Sequence, residues 1–160
     1  MAGKAIGKTM PLGYRGNVSR TPDIVIESFR NVGTANIEYG SPVYFAADGV
    51  KAIDASATAA KVIGIAVRHM GQPYSDSNDG WHYAANDSVD VLVRGSVIVE
   101  LGDTSTPTAH GQVYVTNAGV ITATASNNLA IPHAIFSTGK VEAVDDSHKL
   151  VEVTILERSI

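Results

Sequence analysis

Hydrophobic and polar residues alternate along much of the chain. The segment 88–94 reads SVDVLVR, which places a valine at every second position, and the alternation resumes after Gly95. Segment 149–156 reads KLVEVTIL and repeats the pattern. A period of two puts the apolar side chains on one face of a half-buried strand, and the many β-branched residues favour the same structure.

Turn-forming residues divide these strands at intervals of about 8–12 residues, which predicts an all-β domain. A β-sandwich and a β-barrel both remain open, because the period of two is the same in each. In the first strand, Ile24 and Ile26 are expected on one face and Val25 on the other. Only segment 54–61, DASATAAK, has a helical composition, and its shortness fits one helical turn or a loop.

Two segments of the chain resemble each other. Segment 43–50 reads VYFAADGV and segment 113–120 reads VYVTNAGV, and both predict a hairpin in which Gly helps to form the turn. The flanking segments follow in the same order, which predicts two related hairpin-rich halves, 40–101 and 110–156. Chance similarity between two hairpins is the alternative.

The first half carries an inserted loop, residues 70–86, which reads MGQPYSDSNDGWHYAAN. It is polar, and it holds the only tryptophan of the chain. In one interpretation Trp81 and Tyr83 anchor the loop to the body. In the other, an exposed aromatic tip binds a partner, as loop aromatics often do. The partner-binding candidates in the loop are then Tyr74, Trp81 and Tyr83.

The composition describes a single domain without covalent cross-links. The chain has 160 residues, no cysteine and only 18% charged residues, a low share that fits a protein packed against other subunits. No apolar run has the length of a membrane span, and no signal region follows the first lysines. We therefore expect a soluble protein made in a cytoplasm.

The charges are unevenly distributed. Residues 1–22 carry four basic and no acidic residues, whereas the remainder carries 8 basic and 16 acidic residues, a net charge of −8. This predicts an extended basic arm, 1–22, that docks on an acidic surface, and one all-β domain, 23–160. The charge is too dilute for a nucleic-acid tail. The candidate partner-binding residues of the arm are Lys4, Ile6, Lys8, Met10, Leu12, Tyr14, Arg15 and Arg20.

No motif for catalysis, cofactor binding or metal binding is complete. Segment 3–9, GKAIGKT, has three residues between its glycines where a phosphate-binding loop needs four, and no strand precedes it. No two of the five histidines have the spacing of a local zinc pair. Segment 75–80, SDSNDG, departs by one residue from a calcium loop. We therefore predict no catalytic, cofactor or metal site and expect a structural or interaction protein.

The segment 39–68, YGSPVYFAADGVKAIDASATAAKVIGIAVR, together with DVLVRGSVIVEL at 90–101, resembles the small cement or decoration proteins of tailed-phage heads. The opening segment 13–29 is also similar to that family, whereas the 70–86 loop has no counterpart in the family pattern. The residues that carry the resemblance are Gly40, Pro42, Val43, Gly49, Val50, Val62, Gly64, Ile65, Ala66, Gly95 and Val97.

This resemblance implies a non-enzymatic protein on the outer surface of a phage head. Such a protein is a β-rich homodimer or homotrimer that bridges neighbouring major capsid protein subunits, without contacting nucleic acid or membrane. It is made in the host cytoplasm and ends in the virion. The alternative is a carbohydrate- or cell-surface-binding module of a phage tail or fibre, with Trp81, His82 and Tyr83 as its platform. A third possibility is an enzyme whose residues meet only in the fold.

Overall fold

The computed structural model describes residues 12–68, 82–102, 104–144 and 148–157. Nearly all of the regular structure in these residues is β, which confirms the predicted all-β class. The strands are β1 (Val18–Arg30), β2 (Ile37–Glu38), β3 (Pro42–Ala46), β4 (Gly49–Ala52), β5 (Val62–Ala66), β6 (His82–Tyr83), β7 (Ser88–Leu101), β8 (Gln112–Val115), β9 (Ile121–Thr122), β10 (Leu129–Ala143) and β11 (Lys149–Ile155).

Five strands close into a barrel-like sheet. β11, β10, β8, β9 and β7 pair in that order, and β11 also pairs with β7 over all seven of its residues. The contact between β7 and β9 is a short parallel one, between Leu101 and Ile121. The sequence leaves sandwich and barrel open, and this closed pairing favours the barrel because a sandwich consists of two separate sheets.

The remaining strands extend the sheet beyond the barrel. β5, β3 and β4 continue from β7, and β1 pairs with β7 as well. Leu92 of β7 is paired with Ile26 of β1 and with Ile65 of β5, so β1 and β5 lie on opposite sides of β7. β2 and β6 form a separate small sheet. β7 is therefore the strand that joins the barrel to the rest of the molecule.

The strand pairing has the same order in both halves of the chain. In the first half, β3 and β4 form a hairpin, β5 pairs with β3, and β7 pairs with β5. In the second half, β8 and β9 form a hairpin, β10 pairs with β8, and β11 pairs with β10. The last strands of the two halves, β7 and β11, pair antiparallel. This order of pairing matches the order of the similar segments in the sequence.

The first hairpin turn lies one residue earlier in the chain than Asp48–Gly49, the turn that the sequence predicts. Ala46 pairs with Gly49, so the turn consists of Ala47 and Asp48, and Ala47 has a positive φ of 52°. Gly49 is required for another reason, since a Cβ there would lie 2.3 Å from the carbonyl oxygen of Arg30. The glycine thus permits close packing of β4 against the end of β1.

Helical structure in the described residues is confined to one 3-10 turn, Ala59–Lys61. It lies in segment 54–61, where the sequence predicts one helical turn or a loop. Within the same described ranges, no helix is long and apolar enough to cross a membrane.

Two hydrophobic cores lie on the two faces of the β3–β5–β7 layer. Tyr44 and Leu92 belong to the core inside the barrel, whereas Val43 and Val91 belong to the second core. The sequence predicts that only the alternating valines of segment 88–94 are buried, but Leu92 between them is also fully buried. A strand covered on both faces buries consecutive apolar residues instead of alternate ones.

Asn31 is a buried polar residue at the end of β1. Its Nδ2 donates hydrogen bonds of 3.0 Å to the carbonyl oxygens of Ala35 and Ala84, and its Oδ1 accepts one of 3.0 Å from Gly33 N. Because the side chain is fully buried, these bonds replace the water that its amide would otherwise bind. Asn31 thus fixes two loops to the end of the first strand.

Candidate functional site

The N-terminal segment, defined here as residues 12–17, is bound to the body of the protein. Gly16 N donates a hydrogen bond of 2.8 Å to Ile98 O, and Ile98 N donates one of 2.9 Å to Asn17 O. Arg68 N donates to Gly16 O at 2.9 Å. β1 then begins at Val18, within the segment 1–22 that the sequence predicts as an extended arm. The main chain of residues 16–18 and of Arg20 pairs with β7, which makes this part of the segment a component of the fold.

Arg20 forms an ion pair with Glu152 of the same chain. Arg20 Nε and Nη2 donate hydrogen bonds of 3.0 Å each to the two carboxylate oxygens, and Ser19 Oγ donates one of 2.6 Å. Glu152 is only 5% exposed. Burial alone raises the pKa of Glu152, but the hydrogen bonds from Ser19 and Arg20 outweigh it and leave the pKa below its usual value. Arg20, predicted to contact a partner, thus binds a carboxylate of its own chain.

Arg15 also binds carboxylates of its own chain. Its Nη1 lies 2.7 Å from Glu38 Oε2 and 3.3 Å from Glu100 Oε2. His148 Nε2 lies 3.9 Å from Glu100 Oε1 on the other side of that carboxylate. The basic N-terminal residues do dock on an acidic surface, but for Arg15 and Arg20 that surface belongs to the same molecule.

Tyr14 lines a surface cavity of about 320 Å³, and Leu12 precedes the lining residue Gly13 in the chain. Leu12 N donates a hydrogen bond of 3.0 Å to Glu142 Oε2, which holds the start of the segment against β10. Tyr14 and Val144 line the cavity, and each is 61% exposed. The other lining residues are Gly13, Arg15, Glu100, His148 and Leu150. Exposed apolar side chains next to ionised groups are typical of a surface that receives a partner.

Tyr83 is in the core and not on the surface. It is 1% exposed, its hydroxyl donates a hydrogen bond of 2.6 Å to Val67 O, and its ring packs edge-on against Tyr39 at 5.1 Å. Burial raises the pKa of Tyr39 in this pair. This burial agrees with the interpretation of Tyr83 as an anchor, whereas the described contacts do not support its assignment to partner binding. The burial also removes Tyr83 from the carbohydrate platform of the alternative function.

Six predicted contact residues lie outside the described residues, so their roles stay predictions. They are Lys4, Ile6, Lys8 and Met10 of the arm, and Tyr74 and Trp81 of the inserted loop.

An exposed apolar stretch in β1 was not predicted. Ile24, Val25 and Ile26 are 37%, 41% and 42% exposed, although the sequence predicts one buried face for this strand. The pairing of β1 with β7 is irregular here, with register shifts between Arg20 and Val25 and between Val25 and Ile26. Three consecutive apolar residues were the sequence signal, because they break the alternation that a one-sided strand needs.

The exposed features of the described residues are apolar and ionic contact surfaces. Among them, no group of three or more histidine, aspartate or glutamate side chains is arranged to hold a metal ion. Every buried side-chain nitrogen or oxygen in these ranges has a hydrogen-bond partner. Buried polar groups such as Asn31 and Glu152 therefore serve the fold, while the exposed apolar positions remain for interactions.

A closed all-β body whose exposed features are apolar and ionic contact surfaces defines a structural, interaction-forming class of protein. Residues 3–156 match the family model described as "Structural cement protein (E217 gp24/Pam3 gp6)", and the chain belongs to this family of phage proteins. It is also similar to a chain in the solved structure "The capsid of Myoviridae Phage XM1", with a TM-score of 0.70 and 23% sequence identity over 99% of each chain. At this identity the likeness shows the fold. Among curated proteins, none matches the chain.

Membership of this family establishes the role in outline. The chain is a structural protein of a phage, it associates with the capsid shell and stabilises it, and it is found in the virion. The resemblance to head cement proteins predicted from segments 39–68 and 90–101 is therefore confirmed.

Proposed function

We infer that this chain lies on the outer surface of a phage head and bridges neighbouring major capsid protein subunits as a homodimer or homotrimer. The observation that supports this is the family match over residues 3–156, which covers both halves of the molecule and the start of the N-terminal region. A small protein stabilises a shell best where two subunits meet, because its contacts then oppose their separation.

The cavity beside Tyr14 is the part of the described surface best suited to a capsid contact. Tyr14 and Val144 provide apolar area, and Glu100 with Arg15 provides charged groups at the edge. Residues 1–11 join the body at Leu12, next to this cavity. Ordering such a segment costs about 1–2 kcal/mol per residue, so it needs anchors. Ile6 and Met10 are the proposed apolar anchors, and Lys4 and Lys8 the proposed partners of capsid carboxylates.

Several copies acting together make weak single contacts sufficient. An oligomer binds symmetry-related positions on the shell at once, and the second contact is then intramolecular, with an effective concentration on the order of millimolar. The proposed role is non-enzymatic and includes neither nucleic acid nor membrane. The net charge of −4 supports the exclusion of nucleic acid, since like charges repel. Synthesis in the host cytoplasm completes the proposal.

Reconstitution on phage heads tests this function. Filled, closed heads lacking the protein are mixed with the purified full chain, sedimented, and then heated while release of DNA is measured. We expect saturable binding at dozens to hundreds of copies, as order-of-magnitude numbers for a repeated shell, and a higher temperature of DNA release. Binding only to opened or empty shells would refute the outer location, and binding without a gain in heat resistance would refute the bridging role.

A further inference from the structure

In the described part of the chain, no strand pairs with the outer edge of β1. β7 is the one named strand of the described residues that pairs with β1, and the only other bridge is that of Asn31, just beyond the strand, with Val50. An open edge presents main-chain N–H and C=O groups to any extended segment. On this strand the exposed apolar stretch Ile24–Ile26 adds side-chain contacts to that edge. Such an edge is a site for strand addition.

The charged groups at both ends of this stretch already have partners within the chain. Asp23 Oδ2 lies 2.6 Å from Arg94 Nη2, and Arg30 Nη2 donates a hydrogen bond of 2.6 Å to Asn86 Oδ1. Between these two residues the exposed stretch Ile24–Ile26 is apolar and Glu27 is the one charged residue, so this part of the edge favours an apolar strand over a strongly acidic one. The same stretch of a second copy has this chemistry.

We propose that β1 pairs antiparallel with β1 of a second copy, around a twofold axis at Ile26. This inference deepens the proposed function, because it names the surface through which the self-association occurs. It also selects the homodimer from the two oligomers, since a twofold axis relates two strands at one edge.

Charge selects the register of this pairing. A twofold axis perpendicular to the sheet pairs one residue with the same residue of the second copy. We call this residue the centre of the pairing, and three residues are compared in this role: Val25, Ile26 and Glu27. A centre at Glu27 places two carboxylates opposite each other. A centre at Val25 places Asp23 opposite Glu27 of the partner subunit. Like charges directly opposite destabilise a pair of strands.

A centre at Ile26 avoids both clashes. It places Ile26 against Ile26 of the partner subunit, Ile24 against Ser28 of the partner subunit, and Val25 against Glu27 of the partner subunit. Side-chain pairs across facing positions stabilise antiparallel strands, and the pair at the axis is aliphatic on both sides. The pairing also forms hydrogen bonds between the main-chain N–H and C=O groups of the two edges. A strand from a different partner would need a sequence complementary to this stretch.

A single cysteine tests the register, because the chain contains no other. Facing residues of antiparallel strands have Cα atoms about 4.5–5.5 Å apart, which suits a disulfide. Purified full-length Ile26→Cys is oxidised in the absence of capsids, and covalent dimer is measured on a non-reducing gel. Ser126→Cys is the control, because Ser126 is exposed and lies in the turn between β9 and β10 and not on β1. We expect Ile26→Cys to cross-link about tenfold faster than the control, since pairing raises the local thiol concentration. Equal rates would overturn the proposal.

A charge at the axis supplies the second test. Ile26→Lys places two ammonium groups opposite each other, so we expect a smaller dimer fraction in sedimentation velocity at equal concentration. Ser126→Lys should sediment as the unchanged chain does, and circular dichroism checks that both variants are folded. An unchanged dimer fraction in Ile26→Lys would contradict the inference. A second result would also contradict the inference. If the unchanged chain is monomeric in solution and Ile26→Lys loses capsid binding, the edge of β1 binds a capsid segment and not a second copy. Head binding is measured separately, so failure of the proposed function appears there alone.

Discussion

Arg20 near the beginning of the chain and Glu152 near its end are joined by two hydrogen bonds of 3.0 Å. Glu152 is nearly buried, and its negative charge is stable there because Arg20 and Ser19 donate to both carboxylate oxygens. The contact holds the start of β1 against β11, the last strand of the barrel. Several measurable properties depend on this and related contacts.

Acid should weaken the protein through Glu152. Its pKa in the folded chain lies below the usual value of 4.5, so ionised Glu152 favours the folded state above that value. The contribution is lost as the pH falls from about 4.5 through the lower folded pKa, because the folded state then binds its proton less readily than the unfolded state. Urea unfolding of the chain and of Glu152→Gln between pH 7 and pH 3 measures this. The difference in free energy of unfolding between them should shrink toward low pH, and a constant difference would contradict the linkage.

Arg20→Ala should destabilise the protein at neutral pH. It removes both bonds from a buried carboxylate and leaves Ser19 as the remaining N-terminal donor, at a cost of about 2 kcal/mol. Lys140→Ala, a substitution of an exposed residue, serves as control and should change stability by less than about 0.5 kcal/mol. Equal unfolding midpoints for the two variants would show that the ion pair contributes nothing to stability.

Tyr83→Phe separates the core interpretation of Tyr83 from the partner-binding one. The substitution keeps the ring packed on Tyr39 but leaves Val67 O without the tyrosine hydroxyl, so we expect a loss of about 1–2 kcal/mol in the free energy of unfolding. Head binding measured at a temperature where the variant is folded should not change. Weaker binding together with unchanged stability would restore the partner role.

Tyr14→Ala should have the opposite profile. Tyr14 is mostly exposed, so we expect a change in stability within about 0.5 kcal/mol, while loss of its contact area should weaken head binding. Deletion of residues 1–11 should weaken binding further and leave the fold intact, since the hydrogen bonds of Gly16 and Asn17 to Ile98 remain. Undiminished binding of both variants would place the capsid contact elsewhere on the molecule.

Asn31→Ala should be among the most destabilising single substitutions, at about 3 kcal/mol. It leaves the carbonyl oxygens of Ala35 and Ala84 and the N–H of Gly33 without their buried partner. Thermal unfolding measures the effect, with Asn36→Ala as a control because Asn36 is an exposed asparagine of the adjoining loop. A similar melting temperature for both variants would contradict the structural role of Asn31.

The period of two in the sequence predicts where strands occur but not which faces are covered. It correctly places strands at β7 and β11, because alternating valines leave few other structures. It misses the burial of Leu92 and the exposure of Ile24, because both depend on layers formed by distant segments. Leu92 faces the core inside the barrel, while Val91 and Val93 face the second core with Ile37 and Tyr83. No strand in the described ranges pairs with the outer edge of β1 between Ile24 and Arg30.

The sequence predicts the type of contact at the candidate site better than it predicts which groups make the contact. A basic N-terminal region opposite an acidic body predicts ionic contacts, and Arg15 and Arg20 make them. Charge alone does not tell whether the carboxylates belong to the same molecule, because Coulomb attraction is equally strong for either source. Tyr83 illustrates the same limit, since an aromatic residue in a polar loop serves equally well as an anchor or as a contact.

The contact between Arg20 and Glu152 spans 132 residues of sequence. A ribosome must therefore release nearly the whole chain before residues 19 and 20 meet their carboxylate, and contacts of such long range form slowly. A chain truncated before β11 lacks this attachment and also leaves the barrel open. Attachment of Ser19 and Arg20 to Glu152 thus requires that β11 is present, and it links the start of β1 to closure of the barrel.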